Sequence, residues 1–170
     1  MDVLNVGCPF IENLEDDNHV IEYEEPVEEI VELETTPIDI PTYTQSKTYE
    51  DGSLITDTTS EAYNILSQCY IDERGHYMYE DYYAVAMGNY FDDVGSRYIV
   101  TLDDGSQFKI IKCDVKQDQH TTNRMLDSSG AMIEFIINTY QASQHYGVGV
   151  NGYILNGSFN NHEDFQGCIS

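Results

Sequence analysis

Met132-Ile133-Glu134-Phe135-Ile136-Ile137 places a single carboxylate inside an otherwise apolar run. The β-branched and aromatic content of that run reads as a strand laid into a core. Strand alternation puts Met132, Glu134 and Ile136 on one face and Ile133, Phe135 and Ile137 on the other. A buried charge without a partner is costly, so Glu134 must face water, find a partner or keep its proton. A merely wetter sheet face and a chemically placed acid both satisfy this pattern.

Strand and turn signals surround the run. Tyr82-Tyr83-Ala84-Val85-Ala86-Met87 reads as a strand, and Asp72-Glu73-Arg74-Gly75 as a turn. Arg97 to Leu102, the turn Asp103-Asp104-Gly105-Ser106, and Gln107 to Lys112 make the clearest hairpin. Thr58-Thr59-Ser60-Glu61 reads as a capping box with Thr58 as the cap, opening one short helix over Ala62 to Gln68. A Gly- and Asn-rich stretch follows from Gly147 to Asn161, then a short end strand from Phe165 to Ile169. About six short strands without regular helices predict a mainly β fold, a small barrel.

The first sixty residues differ from the rest: they hold sixteen acids and one lysine, Lys47. That composition predicts an extended acidic arm over residues 1–57, ordered by partners, ahead of a helix and barrel over 58–170. The net charge of −24 excludes nucleic acid and an anionic membrane surface as partners. No stretch reaches transmembrane length, and the N-terminal residues lack the pattern of a signal peptide. Cys8, Cys69, Cys113 and Cys168 are widely spaced and predict reduced thiols in a chain made in a cytoplasm.

Asp114 ends the apolar stretch Phe108-Lys109-Ile110-Ile111-Lys112-Cys113. The loop after it gathers Lys116, Asp118, His120, Thr121, Thr122, Asn123 and Arg124. Asp114, His120 and Glu134 form an acid/base set if that loop folds back over the strand bearing Glu134. The alternative is a solvated loop with an Asp closing a turn. Asp114, Asp118 and His120 are metal-ligand types, but their spacing fits neither a calcium loop nor a common zinc motif, so no metal is expected. His19, His76, His145 and His162 are scattered and read as exposed. Ser128-Ser129-Gly130 reads as a turn, and Gly147-Val148-Gly149-Val150-Asn151-Gly152 as a loop without a nucleotide-binding context.

Taken in order, Val85-Ala86-Met87, Gly95-Ser96-Arg97-Tyr98, Cys113-Asp114-Val115 and Ile133-Glu134-Phe135-Ile136 resemble the three-aspartate domain of Gram-positive cell-wall proteins. That domain is a double-psi β-barrel related to the catalytic barrel of the membrane-bound lytic transglycosylase A family. Tyr82 to Tyr90 and Asp114 to Thr121 also resemble barrel modules in Firmicute phage proteins. The resemblance covers about residues 70–170. It departs from the family at Met87, where the first family Asp would stand, and at Glu134, where the third motif carries Asp.

The resemblance implies a double-psi-like barrel in a phage tail protein, made in the host cytoplasm, carried in the virion and acting at the bacterial cell wall. Glu134 and Asp114 would be catalytic, and His120, Thr121, Asn123 and Arg124 would contact the substrate. The reaction implied is non-hydrolytic cleavage of peptidoglycan glycan strands without a cofactor, with other tail subunits bound through the acidic arm. The alternative is a structural plug or adaptor of the tail that retains the barrel without catalysis.

Overall fold

The computed structural model describes residues 35–40, 44–150, 152–154 and 159–169. Most of the acidic arm expected over residues 1–57 therefore lies outside the described residues. The compact unit that carries the site begins at Ile38. Its strands are β1 (Lys47–Asp51), β2 (Tyr70–Ile71), β3 (Tyr77–Tyr79), β4 (Tyr82–Gly88), β5 (Arg97–Thr101), β6 (Gln107–Lys116), β7 (Thr121–Thr122), β8 (Leu126–Asp127) and β9 (Ile133–Ile137). Its α-helices are α1 (Glu61–Leu66) and α2 (Thr139–Tyr146). The protein is mainly β, as the strand and turn signals predict.

β4 is the central strand. Tyr-Tyr-Ala-Val-Ala-Met-Gly is apolar on both faces because both faces are covered. It runs parallel to β6 along one edge; along the other it pairs antiparallel with β3 at its start and with β9 from Val85 to Met87. β1 adds to the outer edge of β9 in parallel, and β5 adds to β6 as the predicted hairpin. Seven strands thus join one curled sheet. Among the described residues the ladder does not close into a barrel: Ile169 bridges Thr44, ahead of β1, and Leu102, after β5. The end strand expected from Phe165 to Ile169 is reduced to those two bridges.

Each face of the sheet has its own core. On one, Val85, Met87, Ile110, Ile133, Phe135 and Ile137 pack with Phe159 and Phe165. On the other, Ala84, Ile111, Cys113 and Ile136 pack beneath Ala62, Ile65 and Leu66 of α1.

Three local readings differ from the sequence expectation. The cap of α1 is Ser60, whose hydroxyl accepts from the Tyr63 amide at 3.1 Å. Asp57 takes the Thr59 amide and hydroxyl, so Thr58 and Thr59 form the turn before the cap. α2 is a second α-helix where one was expected. Asn138 caps it through the Gln141 amide, and only Ala142 and Tyr146, four residues apart, are buried on it. That stripe is too thin to show as an amphipathic period. β1 emerges from residues assigned to the arm, because Lys47-Thr48-Tyr49-Glu50-Asp51 carries no apolar alternation. Its Lys47 is fully buried, with Nζ donating to the Gly167 carbonyl at 2.6 Å and the Gln45 carbonyl at 3.2 Å.

Candidate carboxyl site

Pairing register places Thr48, Glu134, Ala86 and Asp114 side by side across β1, β9, β4 and β6. Cross-strand partners project to the same face, so Glu134 and Asp114 share one, separated by a single alanine methyl. Asp114 reaches that face through a bulge. Ala84 pairs with Ile111 and Ala86 with Asp114, leaving three positions on β6 against two on β4. With regular alternation Asp114 would follow Lys112 to the opposite face; the extra residue, Cys113, turns it back.

Glu50 lies two residues after Thr48 on β1 and so projects to the same side. Burial first, then the neighbouring Asp114 and Glu134 charges, raise Glu50 from the ordinary glutamate range to about 7. The alanines at 84 and 86 leave the intervening strand with only methyl groups on this face.

The third side of the site comes from the β7–β8 hairpin. Its tip crosses the end of β4, where the Tyr90 amide donates to the Arg124 carbonyl at 3.0 Å. Gly88 makes the crossing feasible: a Cβ there would stand 1.9 Å from the Arg124 carbonyl oxygen. Asn123 and Arg124 take left-handed backbone angles, φ 55° and 60°, to turn the tip. The return strand then delivers Asp127. One of its carboxylate oxygens accepts from the Ser129 amide and hydroxyl and from the Ala131 amide. The other takes Lys116 Nζ at 3.2 Å.

Lys116 is 4 % exposed and also donates to the Ala131 carbonyl at 3.0 Å. Its ammonium lies 3.7 Å from Glu134 Oε1, which accepts from Thr48 Oγ1 at 3.3 Å. Burial is the main cause that raises Glu134 to about 7; Lys116 pulls the other way, and Asp127 adds to the rise. For Asp127, burial works upward, but the Ser129, Glu134, Ala131 and Lys116 interactions outweigh it and hold the group well below the carboxylate range.

Of the residues singled out in sequence, Glu134 and Asp114 thus share one face. Thr121 pairs with Asp127 at the base of the hairpin, and its hydroxyl donates to the Asp118 carbonyl. His120, Asn123 and Arg124 are exposed. His120 lies 3.4 Å from the Gln119 side chain, and Arg124 pairs with Asp118. Among the described residues, no hydrogen bond or ion pair joins these three to Glu134 or Asp114. Glu50, Asp127, Lys116 and Thr48 were not foreseen. The acidic tail hid Glu50, and Asp127 sat beside a stretch that reads only as a turn.

On the opposite face His76 is buried among Tyr83, Phe135, Tyr146, Phe159 and Phe165, contrary to its expected exposure. Its Nε2 lies 2.8 Å from the Tyr146 hydroxyl, while Nδ1 has no partner. Burial lowers its pKa to about 4, so the ring is neutral. Among the described residues Cys69, Cys113 and Cys168 are free thiols, and no group of three or more His, Cys, Asp or Glu side chains is arranged to hold a metal.

What the carboxyl face can do follows from these groups. It presents an acid that keeps its proton to near neutrality, a carboxylate one strand away, and a buried ammonium that fixes the local charge. That set suits proton donation to a leaving oxygen and return of a proton to the same group. No protein family, curated protein or solved structure matches this chain.

Proposed function

We propose that the protein is a phage or phage-like tail component whose carboxyl face cleaves the glycan strands of peptidoglycan as a lytic transglycosylase does. The observation that carries the reading is Glu134, held protonated to about pH 7 beside Asp114 on one sheet face. Its carboxyl O–H transfers the proton to the glycosidic oxygen as the bond to the anomeric carbon breaks. A hydroxyl of the same sugar then closes on that carbon and returns its proton to the Glu134 carboxylate. Water takes no part, and the group ends as it began. Asp114 stabilises the positive charge that develops on the sugar ring.

His120, Thr121, Asn123 and Arg124 are the proposed glycan contacts, carried on the β7–β8 hairpin and the turn before it. The neutral glycan suits a chain whose cations are committed internally. Lys47, Lys112 and Lys116 are buried, and Arg74, Arg97, Lys109 and Arg124 are each paired with an acid. The tail setting and the cell wall as place of action rest on the motifs at 82–90 and 114–121. Other tail subunits are the proposed partners of the acidic N-terminal residues.

Full-length protein is incubated with purified peptidoglycan, with Glu134→Gln as the control. Anhydro-sugar ends released by the wild type and missing from the folded variant support the reading. Equal release from both, or none from either, contradicts it.

One observation favours a second reading, a structural plug or adaptor of the tail. Lys116 ties the end of β6 to Asp127 and the Ala131 carbonyl, so the same groups serve as a strut. Under that reading Glu134→Gln alters folding stability and no glycan is cut.

A further inference from the structure

The tip of the β7–β8 hairpin holds a conformation that its side chains do not explain. Asn123 and Arg124 stand in succession in the left-handed region, φ 55° and 60°. Asparagine tolerates that region, but arginine is strained there, and glycine is the residue that enters it freely. Backbone bonds and a neighbouring side chain fix the tip. The Arg124 carbonyl accepts from the Tyr90 amide at 3.0 Å, and the Met125 amide donates to the Thr122 carbonyl at 3.1 Å. Met125 itself is fully buried in the core. A glycine at 124 would keep each of these contacts without the strain. The arginine side chain gives little packing in return, since it is 59 % exposed. Its ion pair with Asp118 lies at the surface, where such pairs add little stability. Strain kept where folding does not need it points to a ligand.

Asp118 meets the guanidinium on one edge only. Its two carboxylate oxygens lie 3.4 and 3.3 Å from Arg124 Nε, and Asn89 Nδ2 donates to Asp118 Oδ1 at 2.9 Å. Among the described residues no hydrogen bond or ion pair engages Nη1 or Nη2. The tip therefore offers a planar fork of donors whose charge is already offset. A carboxylate ligand would face Asp118 and a chain of net charge −24. A neutral carbonyl oxygen would not, and its two lone pairs match two N–H groups in one plane. We propose that Arg124 is a specificity-determining residue that reads the acetamido carbonyl of an N-acetylated sugar through Nη1 and Nη2. The inference rests on the reading of the substrate as a peptidoglycan glycan and adds which group of the sugar is recognised. The hairpin that carries the fork also delivers Asp127, whose partner Lys116 stands 3.7 Å from Glu134 Oε1. Recognition and the acid thus share one support.

The test titrates the full chain with the hexamer of N-acetylglucosamine and with the glucose hexamer of the same linkage, which lacks the acetamido group. Both are neutral, so the acidity of the chain does not bias the comparison. Binding is read from backbone amide shifts by NMR. The wild type is expected to bind the acetylated hexamer at least about tenfold more tightly, the scale of a hydrogen bond from a charged donor. Arg124→Gly removes the fork and the strain together, so the preference is lost while the thermal midpoint does not fall. Arg124→Lys keeps a charge without the fork and loses the preference as well. Equal binding of the two hexamers by the wild type, binding of neither, or a preference kept in either variant overturns the proposal. A lower midpoint in Arg124→Gly overturns it too, because the side chain would then serve stability. The readout needs no cleavage: the preference without cut glycan leaves the inference standing and the proposed activity refuted, while cleavage without the preference does the reverse.

Discussion

The two faces of the sheet bury ionisable groups by opposite means. On the aromatic face His76 sheds its proton: five rings surround it, one nitrogen meets Tyr146, and the other has no partner. On the carboxyl face Glu134 and Glu50 keep theirs, because burial disfavours their charged forms and neighbouring acid charges add to the rise. The same strand, β9, supplies both settings at adjacent positions, Glu134 on one side and Phe135 on the other. Desolvation drives both groups to neutrality. What differs is the company: rings that give a histidine nothing to do, and acids that make the retained proton useful.

The largest test removes one side of the comparison. Phe135 is fully buried and touches the rings of His76, Tyr83, Phe108, Phe159 and Phe165. Phe135→Ala is expected to cost about 4 kcal/mol in urea unfolding. Gly88→Ala comes next, at about 3 kcal/mol, because the added Cβ meets the Arg124 backbone and must displace the hairpin that delivers Asp127. Its signature is selective: hydrogen exchange at Tyr90 and Asp127 rises before that of the β5–β6 hairpin. Lys116→Met follows at about 2 kcal/mol at pH 7, from leaving Asp127 without its ammonium.

Glu134→Gln has the smallest effect, and its size depends on pH. Glu134 is raised on folding, so its contribution is full below the unfolded value near 4.5 and is lost as pH rises through about 7. Above that pH the wild type must ionise a desolvated acid, and the variant is expected to be more stable by about 1 kcal/mol after solvent screening, with the gain vanishing at pH 5. His76 works the other way. Its pKa is lowered on folding, so its contribution is full above 6.5 and is lost as pH falls through about 4. Thermal midpoints of the double variant Glu50→Gln, Glu134→Gln should therefore lose the decline that the wild type shows as pH rises from about 4.5 through 7 and keep the acid one. An unchanged decline over that range would show that the carboxyl face does not hold its protons.

Much of the fold could be read along the chain because its strands advertise themselves. β4 and β9 are apolar runs, and the β5–β6 turn carries Asp104 and Gly105 where a tight turn needs them. The face of Asp114 could not be read so, since one unpaired residue at Cys113 decides it and nothing in the local composition marks a bulge. Glu50 was concealed by its surroundings: in a segment dense with acids, one more acid carries no signal. Asp127 sat beside Ser128-Ser129-Gly130, which reads only as a turn, yet the Ser129 amide and hydroxyl and the Ala131 amide are what hold its pKa down. β1 and α2 bury too few apolar side chains to show a period, and tertiary packing rather than propensity places them.

The central claim is that Glu134 acts as the acid that cuts glycan. The most direct measurement is the rate of anhydro-sugar release from purified peptidoglycan by the full chain between pH 5 and pH 9, with Glu134→Gln alongside. The account predicts release that falls as pH rises through about 7, following deprotonation of Glu134, and no release from the folded variant at any pH. Release from Glu134→Gln at the wild-type rate, or a wild-type rate that does not change across pH 7, would contradict it.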